Sequence, residues 1–314
     1  MNSFFKSVIL WAAVICAIPA AAAAGGIKAV PTEELTASQS LVFPMEDKLK
    51  LFCSSTGEIT ELSAEEYAVF AVLEEVPFIP DSEALKAQVC AARTYAARRI
   101  LSGEDENGAH ISDDGEKYQT VLSEAEARAV YGKDFDDVYS KVMDAADATR
   151  GEIIMYDGTP AAAVFHVSSA GYTESAENVW GTAYPYLISV PSDCSETLHE
   201  FTYAELSARI SAEYDTAGGF DGIEILSRSE AGTVLFLRIC GIEMDGSRLA
   251  ELLSLESASF EASDCDGKVR FTVRGSGHLA GMSICGADEM SRQGYSYREI
   301  LEHYYPGTSI GKIQ

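Results

Sequence analysis

Two helical patterns separated by an unavoidable break dominate the first third of the chain and constrain it most. TELSAEEYAVFAVLEEVP, from Thr60, places Ser63 at an N-cap and Glu66 three residues later. That is the spacing in which each side chain satisfies the other's backbone N–H. Pro77 ends this helix, because it has no amide hydrogen to continue the ladder. A second helix starts near Asp81 or Ser82 and runs to about Ile100. At about 100° per residue, Leu85, Val89, Ala92, Ala96 and Ile100 share its core side, and Glu83, Lys86, Cys90 and Arg93 fall on the other. Residues 102–120 are polar and glycine-containing, hence a loop. Helical pattern returns at SEAEARAVYG and DVYSKVMDAADATRG, with Gly151 as a stop.

Beyond Gly151 the period changes. EIIMYDGTPAAAVFHVSS reads as a hairpin turning at Asp157-Gly158. Residues 201–213 are helical, IEILSRSE, TVLFLRICG and SASFEASDCDGKVRFTVRG are strand-like, and SRLAELLSL is a short helix between them. A glycine-rich loop, GSGHLAGMS, leads into the helices ADEMSRQG and YREILEHYYPG. The pattern predicts an α+β fold of mixed, mainly antiparallel strands with helices, and has no alternating βαβ repeat.

At 314 residues and 47% hydrophobic content the chain can bury a sizeable core. Its first segment, MNSFFKSVILWAAVICAIPAAAAAGG, has one cation, Lys6, then an uncharged stretch ending in small residues. That is an export signal, either cleaved or kept as a membrane anchor over residues 1–26. A linker and edge strand are expected over 27–59, with KLKLFCSS as the strand, and the main folded region over 60–312. The product works outside the cytoplasm. The net charge of −26 repels DNA and RNA, so no nucleic-acid partner is expected. Past the signal stand Cys53, Cys90, Cys194, Cys240, Cys265 and Cys285, without zinc-cage spacing. Mostly buried thiols are expected, with one or two disulfides allowed by the location.

Three glutamates flank the helix break: Glu74, Glu75 and Glu83. Glu83 sits in a first turn, where the helix dipole and the nearby Lys86 and Arg93 favour its ionised form. A carboxylate held negative is a poor general acid. Glu75 closes the first helix at the negative end of that dipole, and Val76, Pro77, Phe78, Ile79 and Pro80 follow, able to exclude water. Both effects raise a carboxyl pKa, the direction wanted in a general acid near neutrality. By sequence alone Glu74 competes with it equally.

EALKAQVCAARTYA, from Glu83 to Ala96, resembles the signature of the stage II sporulation protein D (SpoIID) family. Glu75-Val76-Pro77 falls where that family carries Glu-Met-Pro. Gln119, Thr149, Gly151, FHVSSAGYTE from Phe165, Val179-Trp180, Tyr184-Pro185-Tyr186-Leu187 and GHLAGMSICGA from Gly277 follow in the family's order. The resemblance implies a lytic transglycosylase that cleaves between N-acetylmuramic acid and N-acetylglucosamine in peptidoglycan and leaves a 1,6-anhydro sugar. Glu75 then aligns with the catalytic glutamate, with Glu83 second. Lys86 and Arg93 are expected to bind the muramic lactyl carboxylate, or else to neutralise Glu83. His166, Ser168, Ser169, Thr173, His278 and Ser283 are expected to orient substrate, and Trp180 and Tyr186 to stack on sugars or pack in the core. A serine-hydrolase alternative lacks a G-x-S-x-G elbow.

The departures are specific. Some family members carry a His/Cys zinc site in the loop corresponding to residues 110–119. HISDDGEKYQ keeps only His110, so no metal and no cofactor is expected. The family's Met-Ser-Gln-Tyr-Gly-Ala is Met282-Ser283-Ile284-Cys285-Gly286-Ala287 here, and its Ser-Gly-Gly is Ser169-Ala170-Gly171. The implied partners are peptidoglycan glycan strands and a cell-wall amidase. The alternative to an enzyme is a non-catalytic enhancer that grips glycan and activates that amidase.

Overall fold

The computed structural model describes residues 42–43 and 48–313, except 55, 76–77, 116, 120 and 217–218. The expected export signal, most of the linker, and Val76 and Pro77 lie outside the described residues. In chain order the helices are α1 (Ala64–Glu75), α2 (Ser82–Ser102), α3 (Glu124–Tyr131), α4 (Phe135–Ala148), α5 (Ala176–Trp180), α6 (Tyr203–Ser211), α7 (Gly246–Leu253), α8 (Ile284–Arg292) and α9 (Tyr297–Tyr304). None of the described helices is long and apolar enough to cross a membrane. The fold is α+β with mostly antiparallel strands in small sheets.

The described chain forms two compact units. One runs to Val164 and takes back the chain from Met290; the other is Phe165–Glu289.

In the first unit α2 is the axis, packed by α1, α4, α9 and the strand Glu152–Tyr156. Ala84, Ala87, Ala91, Ala92, Ala96 and Ala97 are all buried, and their small side chains let neighbours close in on every side. The two-sided pattern expected for α2 is therefore corrected: Cys90 and Arg93, assigned to the polar side, are also fully buried. At the start of α1 the capping box forms as its spacing predicts, with Glu66 N–H donating to Ser63 Oγ at 3.1 Å and Ser63 N–H to Glu66 Oε2 at 2.8 Å. The strand Glu152–Tyr156 turns at Asp157 and Gly158, both at positive φ (48° and 73°), into Thr159–Pro160. This is the expected hairpin, but its return arm is only two residues long. Pro160 has no N–H to extend the ladder. On its other edge the same strand pairs antiparallel with Ser309–Ile313. At Gly151 (φ +75°) a Cβ would come within 2.9 Å of the Ile313 carbonyl, so only glycine fits where that strand closes over the end of α4. A second sheet orders Glu58–Leu62, Leu49–Cys53 and Ile111–Ser112.

In the second unit, Glu196–Thr202, Lys268–Arg274 and Phe260–Cys265 form one antiparallel sheet, and Ile223–Arg228, Val234–Ile239 and Ile242–Asp245 another. Phe201, Leu206, Leu237, Leu249, Phe260 and Phe271 belong to the core they share with α6 and α7. Phe271 meets Phe201 and Phe260 edge-on, with centroids 5.8 and 5.6 Å apart. Each such side chain contributes about 1.5–3 kcal/mol by leaving water. Two short ladders build the polar end of this unit: Phe165–His166 parallel to Met282–Ser283, and Ala170–Tyr172 antiparallel to Pro191–Cys194. Of the six cysteines past the signal, Cys90 and Cys240 are buried, Cys194 is exposed and the rest are intermediate. The expectation of mostly buried thiols is thus met by two.

Candidate functional site

Glu75 ends α1 with its side chain partly buried. Its carboxyl is surrounded by protein. Desolvation pushes its pKa up to about 8, and the charge of Glu74 beside it pushes the same way. A side-chain hydrogen bond with Gln119 pulls in the opposite direction but is outweighed. At pH 7 such a group is roughly nine-tenths protonated. Gln119 is itself fixed: Tyr67 Oη donates to its carbonyl at 3.0 Å and to its Oε1 at 3.3 Å, and its N–H donates to Tyr95 Oη at 3.2 Å. The two tyrosine rings stack at 6.0 Å, joining α1 to α2. Of the apolar residues expected to shield Glu75, Phe78 and Ile79 are half-buried and Pro80 is buried.

Glu83 has the opposite character. Burial pulls its pKa up, but Lys86 Nζ at 2.5 Å, the Tyr297 N–H at 2.8 Å and the Lys86 charge outweigh that and leave it lowered. Lys86 keeps about a quarter of its side chain in solvent (26%). Arg93 does not, and its expected contact with substrate is corrected. With no exposed surface, it pairs with Glu65 at 2.7 Å and donates to the Glu152 carbonyl at 2.9 Å, Thr149 Oγ1 at 3.4 Å and the Ala146 carbonyl at 3.4 Å. The last acceptor lies in the final turn of α4, where the helix dipole favours a cation. Arg93 is a staple between α1, α2 and α4. In the loop 110–119, His110 is buried, and its Nδ1 accepts the Lys50 N–H at 2.9 Å.

The second unit gathers the other expected residues. His166 is buried, with Nδ1 at 3.1 Å from the Ala280 carbonyl and Nε2 at 2.8 Å from Ser169 Oγ. A carbonyl only accepts, so Nδ1 carries the proton. Burial pushes the ring pKa down to about 4, so the ring is neutral and Nε2 accepts from the Ser169 hydroxyl. Nδ1 meets a carbonyl, and among the described residues no carboxylate bonds to it, so this pair lacks the third member of a nucleophilic triad. His278 Nδ1 accepts the Ala280 N–H at 3.1 Å, and its ring lies 5.8 Å from His166 and 5.0 Å from Trp180. Burial first, and the His166 ring second, push its pKa down to about 3. Ser168 shares a 2.5 Å hydrogen bond with Ser195, and Thr173 donates to the Ile188 carbonyl while accepting the Val190 N–H.

Ser168, Ser169, Thr173 and Ser283 were expected at a substrate surface. They are buried instead, with their hydroxyls turned to protein partners: Ser168 to Ser195, Ser169 to His166, Ser283 to Asp193, and Thr173 to the backbone of residues 188 and 190. His278 is the partly exposed member of the set. The hub of this network is a residue that sequence reasoning missed. Asp193 Oδ1 accepts from the Ser169 N–H at 3.1 Å, Ser192 Oγ at 3.0 Å and Ser283 Oγ at 2.6 Å. Glu174, also unassigned a role from sequence, is buried and accepts from the Ser175 N–H, Asn178 Nδ2 and Ser229 Oγ. A carboxylate one residue beyond a Ser/Thr-rich turn is the signal that marked it.

Residues 53–156 match the family described as SpoIID, stage II sporulation protein. Over 273 residues the chain is 32% identical to the stage II sporulation protein D of Bacillus amyloliquefaciens, covering 83% of this chain and 78% of that one. The protein of the same name from Bacillus subtilis (strain 168) is also 32% identical over 273 residues, covering 84% and 79%. This chain belongs to the stage II sporulation protein D family, a family of sporulation proteins. It is also similar to the amidase enhancer of Bacillus subtilis (strain 168), at 24% identity over 294 residues, which cover 75% of this chain and 39% of that protein.

Proposed function

We propose that this protein is an exported lytic transglycosylase that cleaves the bond between N-acetylmuramic acid and N-acetylglucosamine in peptidoglycan stripped of its stem peptides, during cell-wall remodelling in sporulation. The observation that carries the reading is Glu75, a partly buried carboxyl whose pKa is pushed up to about 8. A hydrolase needs a second carboxyl to activate water. A transglycosylase does not. Glu75 gives its proton to the leaving glycosidic oxygen, and as carboxylate it takes the proton of the muramic 6-hydroxyl as that oxygen closes on C1. The proton count balances, Glu75 ends as it began, and the product is an anhydro sugar. Lys86, still partly in solvent beside Glu83, is suited to the lactyl carboxylate of a denuded strand.

The test is incubation of the purified protein and its Glu75→Gln variant with denuded glycan, with the ends read by mass spectrometry. Anhydro ends from the wild type alone support the enzyme; their absence from both removes it. One second reading has its own support. The similarity to an amidase enhancer and the altered Met282–Ala287 block favour a protein that binds glycan and activates an amidase without cutting. It predicts unchanged glycan in that assay and faster amidase turnover on intact wall, with Glu75→Gln as active as wild type.

A further inference from the structure

The Glu75 carboxyl is met by the side-chain amide of Gln119, and an amide has two unlike ends. Oε1 only accepts and Nε2 only donates. Which end faces Glu75 is set by Tyr67 of α1. This side chain is fully buried, and its hydroxyl hydrogen is shared between the Gln119 carbonyl at 3.0 Å and Oε1 at 3.3 Å. With Oε1 held by that hydroxyl, Nε2 is the end left to bond Glu75. The backbone of Gln119 has its own anchor, since its N–H donates to Tyr95 Oη of α2 at 3.2 Å. The chain that leads to it is pinned as well. Arg99, in the last turn of α2, donates from Nε and Nη2 to the His110 carbonyl at 3.1 and 2.7 Å, and its guanidinium lies 5.0 Å from the centre of the Tyr118 ring. His110 and Tyr118, on either side of the loop, are thus fixed to one helix by one planar cation.

We propose that Tyr67 is a positioning residue for Glu75: by holding Gln119 Oε1 it aims the Gln119 N–H at one carboxyl oxygen and leaves the other to carry the proton. This rests on the general-acid role proposed above. An oxygen that already accepts a hydrogen bond has its lone pair engaged, so the acidic hydrogen belongs on its neighbour. After that hydrogen has gone to the leaving oxygen, the same N–H bonds a carboxylate, and a hydrogen bond to an ion is stronger than one to a neutral group. The carboxylate is favoured at the moment it must form, and it regains a hydrogen from the 6-hydroxyl in the second step. Turned end for end, the amide would present Oε1 to Glu75, accept from the acid and oppose its ionisation. The other influences on Glu75, burial and the charge of Glu74, already oppose it. Of the neighbouring helices, α3 turns Tyr131 Oη to the Leu73 carbonyl at 2.6 Å, and α4 brings the Tyr139 ring against Phe70.

The experiment is an NMR titration from pH 4 to 10 of the full protein labelled at glutamate, glutamine and tyrosine side chains, in the wild type, Tyr67→Phe, Gln119→Met and the double variant. In the wild type the Gln119 Nε2 hydrogens and the Tyr67 ζ-carbon follow the Glu75 midpoint, because hydrogen bonds in series polarise one another. Gln119→Met moves that midpoint up by about one pH unit, since a donor to the ionised form is lost. Tyr67→Phe moves it up by about half a unit or more, and adds nothing in the Gln119→Met background. An unmoved midpoint in Tyr67→Phe overturns the proposal. So does a shift that persists in full when Gln119 is already replaced, for Tyr67 would then act by packing alone. If Tyr67→Phe does not fold, the wild type decides: a Tyr67 resonance that follows the midpoint supports the proposal, and one that stays flat while Glu75 titrates overturns it. A Glu75 midpoint near the ordinary 4.5 removes the general acid proposed above, whereas a midpoint that ignores Tyr67 removes only this positioning role.

Discussion

Replacing Glu75 by glutamine tests the central electrostatic argument without any substrate. The folded state holds the Glu75 proton to about pH 8, whereas the unfolded chain releases it near the ordinary value of 4.5. Between those limits the unfolded state binds fewer protons, so wild-type stability falls as pH rises through the window and levels off above it. Glutamine cannot ionise and has no such slope. The two proteins should therefore differ by a constant amount below pH 4.5, and the variant should gain steadily up to pH 8. The full shift, 8 minus 4.5 units, corresponds to about 5 kcal/mol. Because the side chain retains some solvent exposure, the expected gain is about 2–4 kcal/mol. Urea unfolding of both proteins at half-unit steps from pH 4 to 9, at fixed ionic strength, measures it, since titrating groups remote from Glu75 cancel in the difference. A difference that stays flat across the range, or that grows towards acid, refutes the raised pKa and removes the physical ground for Glu75 as the proton donor.

Arg93→Met should cost about 3–5 kcal/mol in thermal or urea unfolding, because Glu65 and three carbonyl or hydroxyl acceptors lose a buried cation; a cost below 1 kcal/mol would return Arg93 to the list of substrate ligands. Gly275→Ala should destabilise by about 2–4 kcal/mol, since φ is +73° and the new Cβ would lie 2.8 Å from the Ser168 carbonyl oxygen and 2.7 Å from Leu279 Cδ2; urea midpoints equal to wild type would contradict this. His166 and His278, held neutral by burial down to about pH 4 and pH 3, contribute stability that is complete above their ordinary value of 6.5 and is lost as pH falls through that window. His278→Gln should flatten the acid limb of the stability curve, and an acid limb identical to wild type would count against it.

What the sequence disclosed was local. Ser63 with Glu66 wrote the start of α1, and Asp157-Gly158 wrote a turn at which both residues take positive φ. The strands Glu196–Thr202, Ile242–Asp245 and Ser309–Ile313 carried no comparable signal. Ile242–Asp245 is only four residues long, and the last strand exists because residues 152–155 accept it from more than 150 positions away. The wheel drawn for α2 failed at Arg93 for a related reason. An amphipathic pattern says which side is more polar, not whether a neighbour arrives with a carboxylate and helix-end carbonyls to receive that side. The same limit hid Asp193, whose importance comes from three donors on separate segments.

Glu75 and Glu83 show why the distinction matters for chemistry. They are eight residues apart, flank the same turn, and both experience burial that works against their charge. The difference lies in the company that each keeps. Glu83 has an ammonium at 2.5 Å and a backbone N–H at 2.8 Å, so ionisation costs it little, and it anchors the start of α2 to α9. Glu75 has a second carboxylate as its neighbour in the chain and one amide hydrogen bond, so its own ionisation adds like charge to like. Exchanging those surroundings would exchange the roles. A cation placed beside Glu75 would fix its charge and disable it as a proton donor, even with every atom of the carboxyl still in place.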